Sequence, residues 1–299
     1  MEKVKEENYI PYYYDTLFYK IFGDEKDVSL LKIIIELSLN IKTKDLKILN
    51  GKMISDKYTG KVSYLDLYVE LDDGNKVSIE VNTNTSYYIK DRNLYFLAKG
   101  MANDMKVGDN YFDFKYHYQI NINSSNTRQI EPFLEYEVLN KKHGIIFSDK
   151  LKIVEIDVVS FYELCYTNGT LDNLSDFEKI MGLLGCRTKE QEKLFEHEKG
   201  IIEKIMRKAE KYRDDSEMIE MYDRDKVIAS MYEKDKRESI KNAVEIAVNE
   251  TTKEVTKEVA KKEKQDIARN MLKENADIEF ISKVTGLTIE EVNQLKEEL

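Results

Sequence analysis

The chain has 299 residues, of which 41% are hydrophobic and 35% charged, so it can bury a sizeable core and is not disordered throughout. Its formal net charge of −10 opposes broad nonspecific attraction to a polyanion, so any nucleic-acid contact has to be local. Two cysteines exclude a disulfide scaffold, and no leader or membrane-spanning run is recognisable, so we expect a cytoplasmic protein without a membrane partner.

Residues 1–160 predict a mixed α/β domain. Asp15 is placed to cap a helix whose apolar face ends at Phe22, and a second apolar helix runs through Leu37. Alternating hydrophobicity between about 46 and 159 predicts strands, interrupted by a helix near 91–105. The apolar stripe expected for that helix is formed by Leu94, Leu97, Ala98, Met101 and Met105.

Residues 161–275 predict a charged helical region in which the sheet does not resume. A narrow apolar seam from Ile240 to Val259, at steps of three and four, is typical of a solvated helix or a coiled coil. We expect it to support self-association.

Residues 276–299 predict two short helices around Thr285-Gly286-Leu287, with Thr288 as the N-cap of the second. The second helix carries four glutamates against the single basic residue Lys296, which opposes entry into a DNA groove. This favours a helical hairpin for protein packing, with a helix-turn-helix DNA reader as the alternative.

The strongest site signal is a hairpin formed by the segments SYLDLYVEL and KVSIEVN. Both apolar sets share one face only if the loop has an odd length, so we expect a three-residue loop that sets Leu67 opposite Val81. In that register Asp66 lies across from Asn82, with Glu80 on the diagonal at roughly 7–8 Å. Two carboxylates at this spacing suit Mg²⁺ or Mn²⁺. The alternative is a pair of solvent-exposed acids without a ligand.

The order of five segments resembles the PD-(D/E)XK nuclease superfamily, specifically its Rpn-type recombination-promoting nucleases, also called PD-(D/E)XK family transposases. The segments are YDTLFYKIFG, YLD, IEVN, DRNLYFLAKG and VGDNYFDF. The resemblance implies a restriction-endonuclease-like mixed central sheet flanked by helices, followed by an elongated all-α C-terminal region. It also implies that Asp66 and Glu80 bind the metal and that Asp15 is an accessory acid near it, although Asp15 also suits helix capping.

Asn82 stands where the superfamily motif has lysine and where the Rpn group commonly has glutamine. An amide can orient a water molecule but supplies no positive charge, so we expect either that another cation substitutes or that the activity is weak. Arg92 is the best candidate for that cation, ahead of Lys90 and Lys76.

The hairpin carboxylates and the resemblance together lead us to expect an Mg²⁺- or Mn²⁺-dependent DNA endonuclease. A link to recombination or a mobile element is implied by the resemblance alone. We expect a homo-oligomer assembled through the C-terminal helices. The alternative is a catalytically inactive interaction protein that keeps the nuclease fold.

Overall fold

The computed structural model describes residues 9–49, 52–53, 63–64, 67–83, 88–124 and 130–299. The chain divides into two compact units, Met1–Asp223 and Arg224–Leu299. The domain boundaries that the sequence suggests near residues 160 and 275 stay predictions.

Eight strands and ten α-helices are described. The strands are β1 (Leu46–Leu49), β2 (Lys52–Met53), β3 (Ser63–Tyr64), β4 (Leu67–Leu71), β5 (Lys76–Asn82), β6 (His117–Asn123), β7 (Phe133–Asn140) and β8 (Ile145–Asp157). The helices are α1 (Asp15–Phe22), α2 (Ser29–Leu39), α3 (Ile89–Asp104), α4 (Val158–Asn168), α5 (Asp176–Leu184), α6 (Lys189–Glu192), α7 (Ile201–Arg213), α8 (Ser216–Lys273), α9 (Ile278–Thr285) and α10 (Ile289–Glu297). Two short 3₁₀ turns span Tyr111–Asp113 and Lys193–Phe195.

Six strands form one mixed sheet in the order β1-β4-β5-β6-β8-β7, while β2 and β3 form a separate pair. The central strands β5, β6 and β8 are parallel, and β1, β4 and β7 join them in antiparallel pairs. The expected mixed sheet flanked by helices, followed by a long helical C-terminal region, is confirmed.

The apolar face of the sheet forms the core of the first unit. Side chains of α1, α2, α5 and α7 join those of the strands in one buried cluster. The expected faces of the β4–β5 hairpin are correct, because Val69 pairs with Val77 and both are fully buried.

The predicted register of this hairpin is wrong by two residues, since Leu67 pairs with Ile79 instead of Val81. The backbone N–H of Leu71 donates to the carbonyl oxygen of Asn75 at 2.9 Å, so these two residues close a loop of three residues, 72–74. Gly74 takes the left-handed conformation at φ 84° that a turn followed by a bulge requires. The Asp73 carboxylate fixes the turn by accepting the backbone N–H of Asn75 at 3.0 Å. Both candidate loops have three residues and so keep the same faces, which is why alternation could not separate them.

Two predictions about helices are also wrong. Helix α1 has Tyr14 at its N-cap, so Asp15 is the first helical residue, where a carboxylate favours the positive end of the helix dipole without capping it. Helix α3 buries Asn93, Phe96, Leu97 and Gly100, and Leu94 is 53% exposed. This helix contacts β5 and β6 on the polar face of the sheet, so its inward side is partly polar.

In the second unit, α9 and α10 pack with the end of α8 around five buried side chains, which are Ala268, Ile281, Leu287, Val292 and Leu295. Gly286 ends α9 at a φ of 71°, and Thr288 caps α10 in a capping box with Glu291. The two predicted helices and their turn are confirmed. Within the described ranges, no helix combines the length and apolarity that crossing a membrane requires.

Candidate active site on the polar face of the sheet

A row of polar side chains crosses the three parallel strands. Glu80 on β5 pairs in register with Asn121 on β6, which pairs in turn with Glu155 on β8. Residues paired across parallel strands share a face, and each strand step is about 4.8 Å, so the two glutamates belong to one surface about 10 Å apart. All three residues are buried.

A second row follows two residues later. Asn82 on β5 pairs with Asn123, and Asn123 pairs with Asp157 on β8. The Asn82 amide donates to Oδ1 of Asn123 at 2.9 Å, which fixes the orientation of both amides. Asp157 serves another purpose, because its carboxylate accepts the backbone N–H groups of Val159 and Ser160 and caps α4.

Arg92 on α3 joins the two rows. Its Nη2 donates to Oδ1 of Asn82 at 2.9 Å and lies 3.5 Å from Oε2 of Glu80. Asn93, the next residue, donates to Oδ1 of Asn121 at 2.9 Å. The Arg92 side chain is 36% exposed, so it contacts the buried Glu80 carboxylate while it still reaches solvent. The structure therefore brings together three residues that the sequence selected, namely Glu80, Asn82 and Arg92.

The two other predicted metal ligands are not brought to this cluster by the described contacts. Asp66 lies outside the described residues; it directly precedes Leu67, whose partner Ile79 adjoins Glu80 in the chain. Asp15 is exposed at the first position of α1. In the described part of the chain, no group of three or more histidine, cysteine or acidic side chains could hold a metal ion.

Lys90 and Lys76 occupy different parts of the polar face. The Lys90 ammonium lies 3.5 Å from Oε2 of Glu155 and 5.7 Å from the centre of the Tyr136 ring. Burial lowers the pKa of Lys90, but the charge of Glu155 and hydrogen bonds with both neighbours outweigh it, so the pKa is raised. Lys76 is four residues before Glu80 on β5, about 13 Å away, and pairs with Glu70.

Sequence reasoning missed four polar residues of this surface, which are Asn93, Asn121, Asn123 and Glu155. A signal for two of them was present in the segment HYQININ, where every second residue of a strand is polar between apolar neighbours. Alternation in that segment predicts a strand but does not tell whether its polar face is exposed, and the structure buries these side chains under α3.

Comparison with known protein families agrees with this fold and cluster. Residues 12–243 match the family model for PD-(D/E)XK nuclease family transposases. The chain belongs to this family. Residues 261–297 match the C-terminal HTH domain of the Rpn/YhgA-like nuclease family, so the resemblance inferred from the sequence is confirmed. No curated protein and no solved structure matches the chain.

Membership of this family indicates both the class of reaction and the kind of partner. The family is one of nucleases, which act on phosphodiester bonds and typically use divalent metals. The match to an HTH domain favours the helix-turn-helix alternative over the hairpin for protein packing. Since helix-turn-helix domains are typically DNA-binding elements, DNA is the partner that both matches indicate.

Proposed function

We propose that this protein is a metal-dependent DNA endonuclease that serves recombination or a mobile element. The observation that carries the proposal is the buried Glu80 carboxylate, held beside the Arg92 guanidinium and the Asn82 amide where the parallel strands end. Ligands in open α/β sheets bind outside the carboxyl ends of the strands, which is where these residues lie.

The donor atoms fit a hard divalent cation such as Mg²⁺ or Mn²⁺. Glu80 supplies carboxylate oxygen, and Asp66, one residue before β4, is the second carboxylate that we assign to the metal. We also assign Asp15 to this site, as an accessory acid near the metal. A bound cation would polarise a phosphoryl oxygen and lower the pKa of a water molecule.

The side chains of this chain then have distinct tasks. Arg92 can donate two hydrogen bonds to a phosphate and stabilise the charge that develops on it. Asn82 orients the attacking water, and Asn123 holds Asn82 in place through the amide hydrogen bond. In this proposal Arg92 supplies the positive charge that lysine gives at position 82 in the superfamily motif.

The test is nicking of supercoiled plasmid by the purified full chain in Mg²⁺, Mn²⁺ or EDTA. We expect cation-dependent nicking that Glu80→Gln and Asp66→Asn abolish. The matched control is Glu137→Gln, which removes an exposed carboxylate from β7. Activity that persists equally in all three variants would refute this assignment.

Absence of nicking in every condition would favour the alternative function, a nuclease-fold protein that acts by association. We propose that association occurs in either case through the seam on α8. Ile240, Val244, Val248, Val255 and Val259 are each 52–56% exposed within the helix.

A dimer would bury this seam, so the double substitution Val244→Lys and Val255→Lys should reduce the molar mass measured by light scattering. The 3.6-residue period puts Asn249 on another face of α8, so Asn249→Lys is the control that should leave the mass unchanged.

The two buried free thiols, Cys165 and Cys186, suit the cytoplasmic setting that we propose.

A further inference from the structure

A second feature of the polar face is a pocket of about 200 Å³ beside the Glu80 cluster. Helix α3 contributes Leu94 to its wall, β6 contributes Gln119, and the strands beyond contribute Tyr136 and Ile153. Lys90 also lines it, with a side chain that is 65% exposed.

Gln119 is the unusual residue of this pocket. Its side chain is fully buried, and neither the oxygen nor the nitrogen of its amide has a hydrogen-bond partner in the described part of the chain. Its register partners on the neighbouring strands, Ser78 and Ile153, make no hydrogen bond to this side-chain amide. Buried amides are nearly always hydrogen-bonded, because an unpaired one is costly, so an unpaired amide that lines a pocket points to a ligand.

The chemistry of the walls narrows the ligand to a flat, hydrogen-bonding ring. A glutamine amide presents a donor beside an acceptor, which matches the N7 acceptor and the N6 donor of adenine. The Tyr136 ring and the apolar side chains of Leu94 and Ile153 suit the faces of a base. The volume is below the roughly 300–1,000 Å³ of pockets that hold whole drug-sized ligands, so a base fits better than a complete nucleotide.

The position of the pocket relates it to the cleavage site. Asn121 lines the pocket and is also the register partner of Glu80, so the two sites are neighbours on adjacent strands, about one strand spacing apart. A base in the pocket would leave its phosphate outside, within reach of Arg92 and of the exposed Lys90 ammonium.

We propose that this pocket binds one unstacked base of the DNA substrate, adenine in preference to the others, and so positions the adjoining phosphodiester at Glu80 and Arg92. This inference rests on the proposed function for its substrate. It adds that the protein acts on a nucleotide that has left the base stack.

The experiment measures binding without cleavage, so it does not depend on nuclease activity. Fluorescence anisotropy in EDTA compares the affinity of the full chain for three short thymidine oligonucleotides that differ only at one central position. That position carries adenine, 7-deazaadenine, which lacks the N7 acceptor, or an abasic sugar. The variant is Gln119→Leu, and the control is Ser78→Ala, which removes a buried hydroxyl from the neighbouring strand outside the pocket.

The wild type should bind the adenine oligonucleotide about 5- to 100-fold more tightly than either other probe. Gln119→Leu should bind the adenine and 7-deazaadenine oligonucleotides with one affinity, because the apolar contacts to the base faces remain. Ser78→Ala should keep the preference for adenine over 7-deazaadenine. Because Leu removes an unpaired amide, Gln119→Leu should melt no lower than the wild type.

Three results would overturn the inference. They are a preference for adenine over 7-deazaadenine that survives in Gln119→Leu, a wild type that does not distinguish these two probes, and a large loss of melting temperature in Gln119→Leu. Plasmid nicking remains the separate test of the nuclease itself, so either proposal can fail while the other stands.

Discussion

Replacing Asn82 by lysine tests whether Arg92 has taken over the role of the motif lysine. Because Nη2 of Arg92 lies 2.9 Å from Oδ1 of Asn82, a lysine there would bring two cations together. Two unit charges 4 Å apart repel by about 4 kcal/mol at an effective dielectric constant near 20, before the neighbouring Glu80 charge and solvent reduce this. The substitution also removes two hydrogen bonds, each worth about 1 kcal/mol.

We therefore expect Asn82→Lys alone to slow cleavage about tenfold or more, since 1.4 kcal/mol corresponds to a factor of ten. Arg92→Met, which removes the guanidinium and keeps an unbranched side chain about as long as the arginine stem, should cost about 10²- to 10³-fold. In the double variant the new lysine has no cation to repel it, so the rate should return to within about tenfold of the wild type.

Single-turnover cleavage rates for the four proteins form a double-mutant cycle. Thermal melting of each protein serves as the control for folding. A single Asn82→Lys variant that cleaves faster than the wild type would refute the argument. So would a double variant no faster than Arg92→Met, because Arg92 and the lysine would then not share one role.

Three further predictions concern stability. Glu192→Gln should cost about 3 kcal/mol in urea unfolding, because Glu192 accepts two hydrogen bonds from Arg213 in a buried ion pair, and a loss below about 1 kcal/mol would contradict this. Gly185→Ala should lower the melting temperature, because a Cβ there would collide with the Val158 carbonyl oxygen and such overpacking costs about 1–3 kcal/mol. Burial lowers the pKa of His117, so below about pH 6.5 the unfolded chain binds a proton that the folded chain excludes. The free energy of unfolding should therefore decrease as the pH is lowered below about 6.5. Urea midpoints at about pH 7 and pH 5 should differ less for His117→Gln than for the wild type.

The β4–β5 hairpin shows which part of a strand pair can be predicted from sequence. Alternation identified the buried face correctly, since Val69 and Val77 pair inside the core. It could not choose between two loops of equal length, because moving the loop by one residue shifts the register by two and leaves every side chain on its own face. The choice between the two loops depends on which loop position Gly74 occupies, because the turn needs a positive φ at one particular position.

Helix α3 shows a different limit. A search for an apolar stripe selected Leu94, whereas the structure turns Asn93 inward to bond Asn121. Hydrophobic periodicity assumes that an inward side is apolar, and this assumption fails where a helix covers polar residues of a sheet. The face of α3 that hydrophobic periodicity predicts wrongly is therefore the face that carries the candidate site. Sequence patterns are expected to fail at functional positions, because residues there serve chemistry and not packing.

The site combines local and distant parts of the chain, and only the local part could be predicted. Glu80, Asn82 and Arg92 lie within one strand and the helix that follows, so a short motif was enough to select them. Asn123 is 41 residues beyond Asn82 and reaches it only because β5 and β6 pair in parallel. Since its amide oxygen holds the Asn82 amide, Asn123 should influence cleavage through the orientation of Asn82, without touching the phosphate. The parallel pairing of the strands, which alternation does not reveal, thus converts separate polar residues into a single site.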